Sequence, residues 1–439
     1  MHLPRSAISA LWLSGDRLLR MGVGLVVTAG MARQLGPAAY GLFGYALALC
    51  DLASPLARLG LDTVVVRDVT REPARAGEIL GTATLLRLGG GLLAAALAIA
   101  AVLLLRPAEP VTLAVVALAA LALPVQMADV VDFWFQSRVD ARRVFLARNL
   151  AFGLASLLRL ALILAAASVV AYAGAWLLEA ALAALLLALF FRRTTGAPAA
   201  WTATRRAAAA LLETSWPLIL SGVGVLLYLR VDQVMLGQLL DDRSLGHFTA
   251  AVRLSEVWYF IPGALVTSVL PSLVALRQTD PARYQDRLRQ LFALMTVAAL
   301  AIAAPVSLAA GPLVTLLFGE AFRPAAAILV VHVWSCVFVF WGVAQGPWIL
   351  AEDATRLTIE RMFTAAALKI GLNLLLIPRF GAVGAAYASL AAYAYSGWLA
   401  NAVQRRTRPL FRLQMEALRD SPRLARQALR DLRQHGRSP

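Results

Sequence analysis

Twelve apolar stretches of roughly membrane-crossing length follow one another along this 439-residue chain, near 11–31, 40–59, 79–105, 111–135, 149–168, 171–191, 217–239, 247–273, 290–310, 325–350, 362–377 and 382–404. An α-helix needs about 20 such residues to cross roughly 30 Å of hydrocarbon. Lipid offers no water to peptide groups, so an open-ended chain can cross only as helix. A barrel would need short alternating strands, and Leu-Ala runs such as 92–105 do not alternate. Apolar residues make up 60% of the chain and charged ones 15%, where soluble domains run at about 45–50% and about 25%. The expected fold is an all-α polytopic membrane protein.

The loop charges test this division. With the N-terminus cytoplasmic, 28 of the 41 basic residues fall in inside segments and five (Arg33, Arg106, Arg243, Arg323 and Arg379) outside. The positive-inside rule demands such asymmetry, and a wrong span count would scramble it. Both termini are therefore expected to be cytoplasmic. The first apolar stretch holds Asp16, Arg17 and Arg20 and lacks a small-residue cleavage site, so it reads as a retained span. Cys50 and Cys336 show no pair spacing, and no phosphate-cradling loop or metal cluster is evident, so no cofactor is expected. The net charge of +16 needs no nucleic acid, because the tail from 405 onward alone supplies +7. Segment 410–434 reads as amphipathic, with Leu418, Leu424, Leu429 and Leu432 among arginines. It suits either the anionic inner leaflet or a solvated tail.

The chain repeats itself weakly at about half its length. Gly22-Val23-Gly24-Leu25 returns as Gly222-Val223-Gly224-Val225, and Gln34-Leu35 with Tyr40-Gly41-Leu42-Phe43 as Gln238-Leu239 with Leu245-Gly246-His247-Phe248. The expected plan is a six-helix lobe at 1–191, a cytoplasmic linker at 192–212, a second six-helix lobe at 213–404 and a basic tail at 405–439. Repeated halves are characteristic of transporters.

Four blocks carry a family resemblance. They are Arg33-Gln34-Leu35-Gly36-Pro37 with Leu59-Gly60-Leu61 and Val66-Arg67; Asp232-Gln233-Val234-Met235-Leu236-Gly237 with Ala250-Ala251-Val252-Arg253-Leu254; Leu317-Phe318-Gly319 with Phe322; and Ile377-Pro378-Arg379-Phe380-Gly381 with Gly384-Ala385-Ala386. In this order the chain resembles the polysaccharide-biosynthesis (Wzx-type) flippases of the multidrug/oligosaccharidyl-lipid/polysaccharide exporter superfamily. The resemblance implies a MATE-like bundle whose spans one, two, seven and eight line a central cavity, with transport commonly coupled to an ion gradient. Read physically, Gly36-Pro37 and Pro378 with Gly381 turn the chain between spans, and Gly89-Gly90-Gly91 allows close helix approach.

Eight basic residues lie inside spans: Arg17, Arg20, Arg58, Arg87, Arg159, Arg230, Arg253 and Lys369. An arginine at a span centre costs roughly 2.5–3.5 kcal/mol even on the lenient insertion scale. So many argue for a polar cavity and an anionic cargo. Asp16 and Arg20 share a helix face and can neutralise each other; Arg17 has no carboxylate at helical spacing. Arg58 has Asp62 four residues on, Arg253 has Glu256 three on, and Arg159 has Glu179 as a partner within reach. Arg17, Arg20, Arg58, Arg253 and Lys369 are the candidate cargo contacts, since guanidinium forks suit phosphate oxygens. Lys369, one turn from Asn373, can equally seal the second half. Asp232, Glu256 and Asp51 are the candidate ion-coupling carboxylates.

The leading functional expectation is a flippase that carries a polyprenyl-diphosphate-linked oligosaccharide to the outer leaflet. Membrane lipids, and a glycan polymerase or other assembly proteins, are its expected partners. A drug or metabolite exporter of the same fold is the alternative, disfavoured by the basic excess. A membrane glycan polymerase is less expected, because the longest outside connection, near 311–324, is short and half apolar. Topology is directly testable. In a chain stripped of Cys50 and Cys336, an Arg243→Cys site should react with an impermeant maleimide from outside and an Arg75→Cys site only after permeabilisation; the reverse pattern would invert the topology.

Overall fold

The computed structural model of the protein describes residues 5–138, 140–195, 201–352 and 354–435, with side chains described from Arg20 to Ser421 except at 139, 141, 196–200, 353 and 355. Every regular element among the described residues is helical. Contacts divide the chain into two compact units, Met1–Leu226 and Leu227–Pro439.

The first unit contains α1 (Arg5–Arg58), α2 (Leu61–Arg71), α3 (Ala76–Leu105), α4 (Pro110–Ala120), α5 (Ala122–Val125), α6 (Asp129–Ser137), α7 (Ala141–Leu164), α8 (Val169–Thr195) and the first part of α9 (Arg205–Leu239). The second takes the rest of α9, then α10 (Asp242–Glu256), α11 (Phe260–Thr279), α12 (Pro281–Leu308), α13 (Ala310–Phe318), α14 (Ala325–His332), α15 (Ser335–Ala344), α16 (Gly346–Ala351), α17 (Thr355–Ala394), α18 (Ala400–Val403) and α19 (Arg408–His435).

Ten helical stretches among the described residues are long and apolar enough to cross a membrane. Two are far too long for one crossing: Arg20–Arg71 has 52 residues and Arg356–Val403 has 48, each some 70–80 Å at 1.5 Å per residue. Both are broken where the sequence suggests a turn. Gly36 (φ 72°, ψ 170°) interrupts α1 and Gly381 (φ 60°, ψ −144°) interrupts α17. These left-handed conformations suit glycine, and Pro37 and Pro378 beside them remove helical donors. Counting each side of the two breaks as a crossing returns the twelve expected. The outer faces are apolar: Leu104 is 82% exposed, Leu164 88% and Leu308 89%. So many bare leucines suit contact with hydrocarbon, not water.

Between helices in lipid, close approach at small residues does the work of the hydrophobic effect. A Cβ at Gly90 would stand 2.2 Å from the Leu56 carbonyl oxygen, and one at Gly91 2.5 Å from Pro124 Cα. Gly89, beside them, meets nothing. The expected glycine contact is thus made by two of the three. Gly60 combines both demands, with φ 61° and a Cβ position 2.6 Å from Leu218 Cβ. It starts α2, whose Leu61, Val65 and Val69 pack with Leu80, Val130 and Phe133.

The polar segment after α8 is held down where it is described. Thr204 Oγ1 donates to Glu78 at 2.6 Å, Trp201 meets Phe191 edge-on, and the Thr202 carbonyl lies where a Cβ on Gly81 would be. The tail also departs from expectation. Leu410, Leu413, Gln414 and Ala417 of α19 are buried, largely against α12, whereas Leu418 is 46% exposed. Leu424, Leu429 and Leu432 lie outside the residues with described side chains. A polar lattice locks the helix: Gln414 Nε2 donates to the Gly397 carbonyl at 2.8 Å, Asn401 to Gln414 and Gln345, and Arg361 to Gln404 and Thr407, each at 2.7 Å. Arg361, expected in an inside loop, is 3% exposed and serves this lattice. The start of the tail is therefore neither solvated nor free to lie on a leaflet.

Gly60→Ala should destabilise the protein by about 2–4 kcal/mol, the left-handed penalty plus overpacking. Gly89→Ala should be near neutral. Thermal unfolding of the detergent-solubilised protein reads both, and equal effects would refute the packing account.

Candidate functional site

A cavity of about 270 Å³ opens inside the first unit between α1, α7, α8 and the α5–α6 connection. Arg20 and Arg58 from α1, Arg148 from α7, Gln126, Asp129 and Glu179 line it, with alanines of α8 providing the room. Two residues singled out in the sequence, Arg20 and Arg58, thus meet in one space. The third from this region, Arg17, lies outside the residues with described side chains, as does Asp16, its neighbour and the expected partner of Arg20.

The carboxylates around this cavity are all engaged. Arg87 is 1% exposed, with Nη1 3.2 Å from Asp62 and Nη2 3.5 Å from Asp129. Arg148 Nη2 bridges Asp129 at 3.1 Å and Asp132 at 2.8 Å, and Gln136 donates to Asp132 at 2.9 Å. Arg159 meets Glu179 at 2.6 Å, as the sequence suggested. Asp62 therefore serves Arg87, not the expected Arg58: α1 ends at Arg58, the positive φ of Leu59 and Gly60 breaks the helix, and helical spacing no longer holds. Among the described residues no carboxylate pairs with Arg20 or Arg58. Arg20 stacks on Phe152, 4.8 Å from the ring centroid, and Arg58 is exposed. Among the described residues, the cavity offers guanidiniums with no carboxylate on them and carboxylates already held by arginine.

The second unit keeps its charges in its core. Lys369 Nζ lies 2.6 Å from Asp232 Oδ2 and donates to the Tyr228 carbonyl at 3.0 Å; both side chains are almost fully buried. Ser389 donates to the same carboxylate oxygen at 2.8 Å. The ammonium sits 5.7 Å from the centre of the Tyr393 ring, which also faces Tyr228 and Tyr259. His332, 1% exposed, shares a hydrogen bond with Ser255 at 2.9 Å. The expected Arg253–Glu256 pair is not formed: Arg230 reaches Glu256 at 3.2 Å across from α9, and Arg253 is exposed. Position on neighbouring helices outweighed spacing along one. Asp51 is half-buried in α1, beside Cys50.

The structure thus brings Arg20 and Arg58 together, pairs Lys369 with Asp232 and Glu256 with Arg230, and leaves Arg253 on a surface. Sequence reasoning missed Arg148 and Asp129, assigning the arginine to an inside loop. The hint available was Asp129 and Asp132 three apart on one helix face, a pair of acids that needs a cation.

Removing one member of a buried ion pair strands the other, at a cost of about 3–5 kcal/mol. Lys369→Met should lose that much stability in thermal unfolding, and adding Asp232→Leu should recover most of it. A loss below about 1 kcal/mol in the single variant would be the size of an exposed pair and would overturn this account.

Residues 31–327 match the model of a family described as polysaccharide biosynthesis protein. No curated protein matches the sequence. In fold, the chain is similar to the lipid II flippase MurJ in an inward closed conformation, with TM-score 0.73 and 12% identity over 95% of this chain and 91% of that one. It is also similar to a multidrug resistance MATE family transporter of the MOP superfamily in an inward-facing conformation, with TM-score 0.64 and 15% identity over 92% and 95%. A MOP superfamily transporter from Pyrococcus furiosus Vc1, described by a reversed polarity of its binding pocket, gives TM-score 0.57 and 16% identity over 92% and 94%. At such identities the likeness is one of fold. The family match covers well over half of the chain, and with it this multi-pass membrane protein belongs to the polysaccharide biosynthesis protein family, in a fold similar to that of MurJ and the MATE transporters.

Proposed function

We propose that the protein flips a polyprenyl-diphosphate-linked oligosaccharide across the cytoplasmic membrane by alternating access, for export of a surface polysaccharide. The observation that carries this reading is the first-unit cavity, where Arg20 and Arg58 are held in one space with no described carboxylate on either. A diphosphate supplies the acceptors these forks lack, and charge-assisted hydrogen bonds of this kind are the strong ones. Arg17 and Arg253 remain proposed further contacts of the cargo. Lys369 is better read as the internal counter-ion of Asp232, given its burial. The same cavity disfavours an exporter of cationic drugs, because Asp129 and Glu179 are each held by arginine.

For energy coupling, Asp232 and Glu256 are the proposed carboxylates, with Asp51 a third. Each of the first two faces a basic group, so protonation would break a pair and change the local charge. Export that survives loss of both the proton and the sodium gradients, or an Asp232→Asn variant with unaltered gradient dependence, would remove this part of the reading.

The decisive experiment deletes the gene and follows lipid-linked oligosaccharide. Undecaprenyl-linked repeat units should accumulate on the inner leaflet while surface glycan is lost. Complementation with Arg20→Ala or Arg58→Ala should lower export at least about tenfold, since a charge-assisted hydrogen bond is worth roughly 1.5–3 kcal/mol. Full export by both variants would end the cationic-cavity account. Normal glycan with altered tolerance of cationic compounds would favour the drug-exporter reading instead.

A further inference from the structure

A second cavity, about 480 Å³, lies within the second unit where the start of α19 meets the start of α12. Arg277, Arg289 and Arg412 line it, with Tyr284 and Trp348. Arg277 is bound to Glu352 at 2.5 Å and Arg289 to Glu416 at 2.8 Å. Arg412 is exposed and meets no carboxylate among the described residues. Two buried donors in the wall have no hydrogen-bond partner among the described residues: the hydroxyl of Tyr284, itself 6% exposed, and Nε of Arg289. The Arg277 guanidinium lies beside that hydroxyl and can only donate to it, so the hydroxyl's own proton has no acceptor among the described residues. α12 also begins at this cavity, at Pro281, with its N-terminus capped by the Asp280 carboxylate, which accepts from the Arg283 amide at 3.1 Å. Donors converge here while the glutamates are already taken. That is a site for an anion with several oxygens.

The rim says where such an anion comes from. α12 and the stretch Ala325–Ala351 are both apolar enough to cross a membrane, and the cavity lies at their ends. A cationic, Trp-flanked pocket at the ends of two membrane-length stretches is suited to a phospholipid headgroup at the membrane interface.

We propose that this cavity binds the phosphate of an anionic membrane phospholipid and that the lipid helps hold α19 on α12. The proposal is independent of the transported cargo, and its failure would leave the flippase reading untouched.

The test uses the full-length protein in detergent, offered equimolar phosphatidylglycerol and phosphatidylcholine, with retained lipid read by native mass spectrometry. Phosphatidylglycerol should be retained at least about fivefold over phosphatidylcholine, the size of effect expected of one guanidinium near a phosphate. Arg412→Ala and Tyr284→Phe should each reduce that preference and abolish the thermal stabilisation phosphatidylglycerol gives. Tyr284→Phe keeps the ring in place, so its loss of preference would not be a folding failure. No preference in the wild-type protein, or an unchanged preference in both variants, would overturn the proposal. Stabilisation by millimolar inorganic phosphate alone, with no lipid retained, would make the site one for a free anion and overturn the lipid assignment.

Discussion

A charge in hydrocarbon must find an opposite charge, water or a ligand, and the interior of this protein is arranged around that demand. In the first unit Arg87 anchors a chain of pairs that runs through Asp62 and Asp129 to Arg148 and Asp132. In the second, Asp232 and Lys369 neutralise each other almost out of contact with solvent. These networks fix which faces of the helices turn inward more firmly than leucine and alanine can, because apolar side chains are as content against lipid as against each other. What the pairing leaves over is informative. Among the described residues, Arg20 and Arg58 border a cavity whose acids are paired with other arginines, and the anionic headgroup of the proposed cargo would complete the balance.

The second constraint is the backbone. A helix in lipid satisfies its own peptide groups, so departures from it need a residue that tolerates them. Gly36, Gly60 and Gly381 bear positive φ, as does Gly319, where α13 ends before the Phe318–Phe322 contact. Each belongs to one of the blocks that carry the family resemblance. Those blocks are loose as patterns because what they encode is mostly geometry: a break, a close approach, a small residue under a neighbouring carbonyl such as Gly384 beneath Leu376.

Two polar devices tie the ends of elements to the body. Thr204 and Trp201 hold the segment that leads into α9 against its own unit. The Gln414, Asn401, Gln345 and Arg361 lattice fastens the first turns of α19. Each joins side-chain amides or hydroxyls to one charged group, Glu78 in the first and Arg361 in the second. Beside the second device, the Tyr284 hydroxyl and Arg289 Nε have no hydrogen-bond partner among the described residues.

Local patterning determined much of this protein. Helix content, the run of membrane-length stretches, the breaks at Gly36 and Gly381 and the small residues at Gly90 and Gly91 all follow from properties a residue carries with its near neighbours: hydropathy, φ preference and size. Apart from Arg159 with Glu179, tertiary structure decided the partners. Spacing along one helix favours Arg253 with Glu256 and Arg58 with Asp62. The folded chain gives Glu256 to Arg230 and Asp62 to Arg87, because a neighbouring helix lies within a few ångströms at any depth and offers more candidates than its own next turn. It likewise turned Leu410 and Leu413, not Leu418, toward the protein. An amphipathic pattern specifies that a face will be buried, but whether lipid or another helix covers it depends on what the rest of the chain brings alongside.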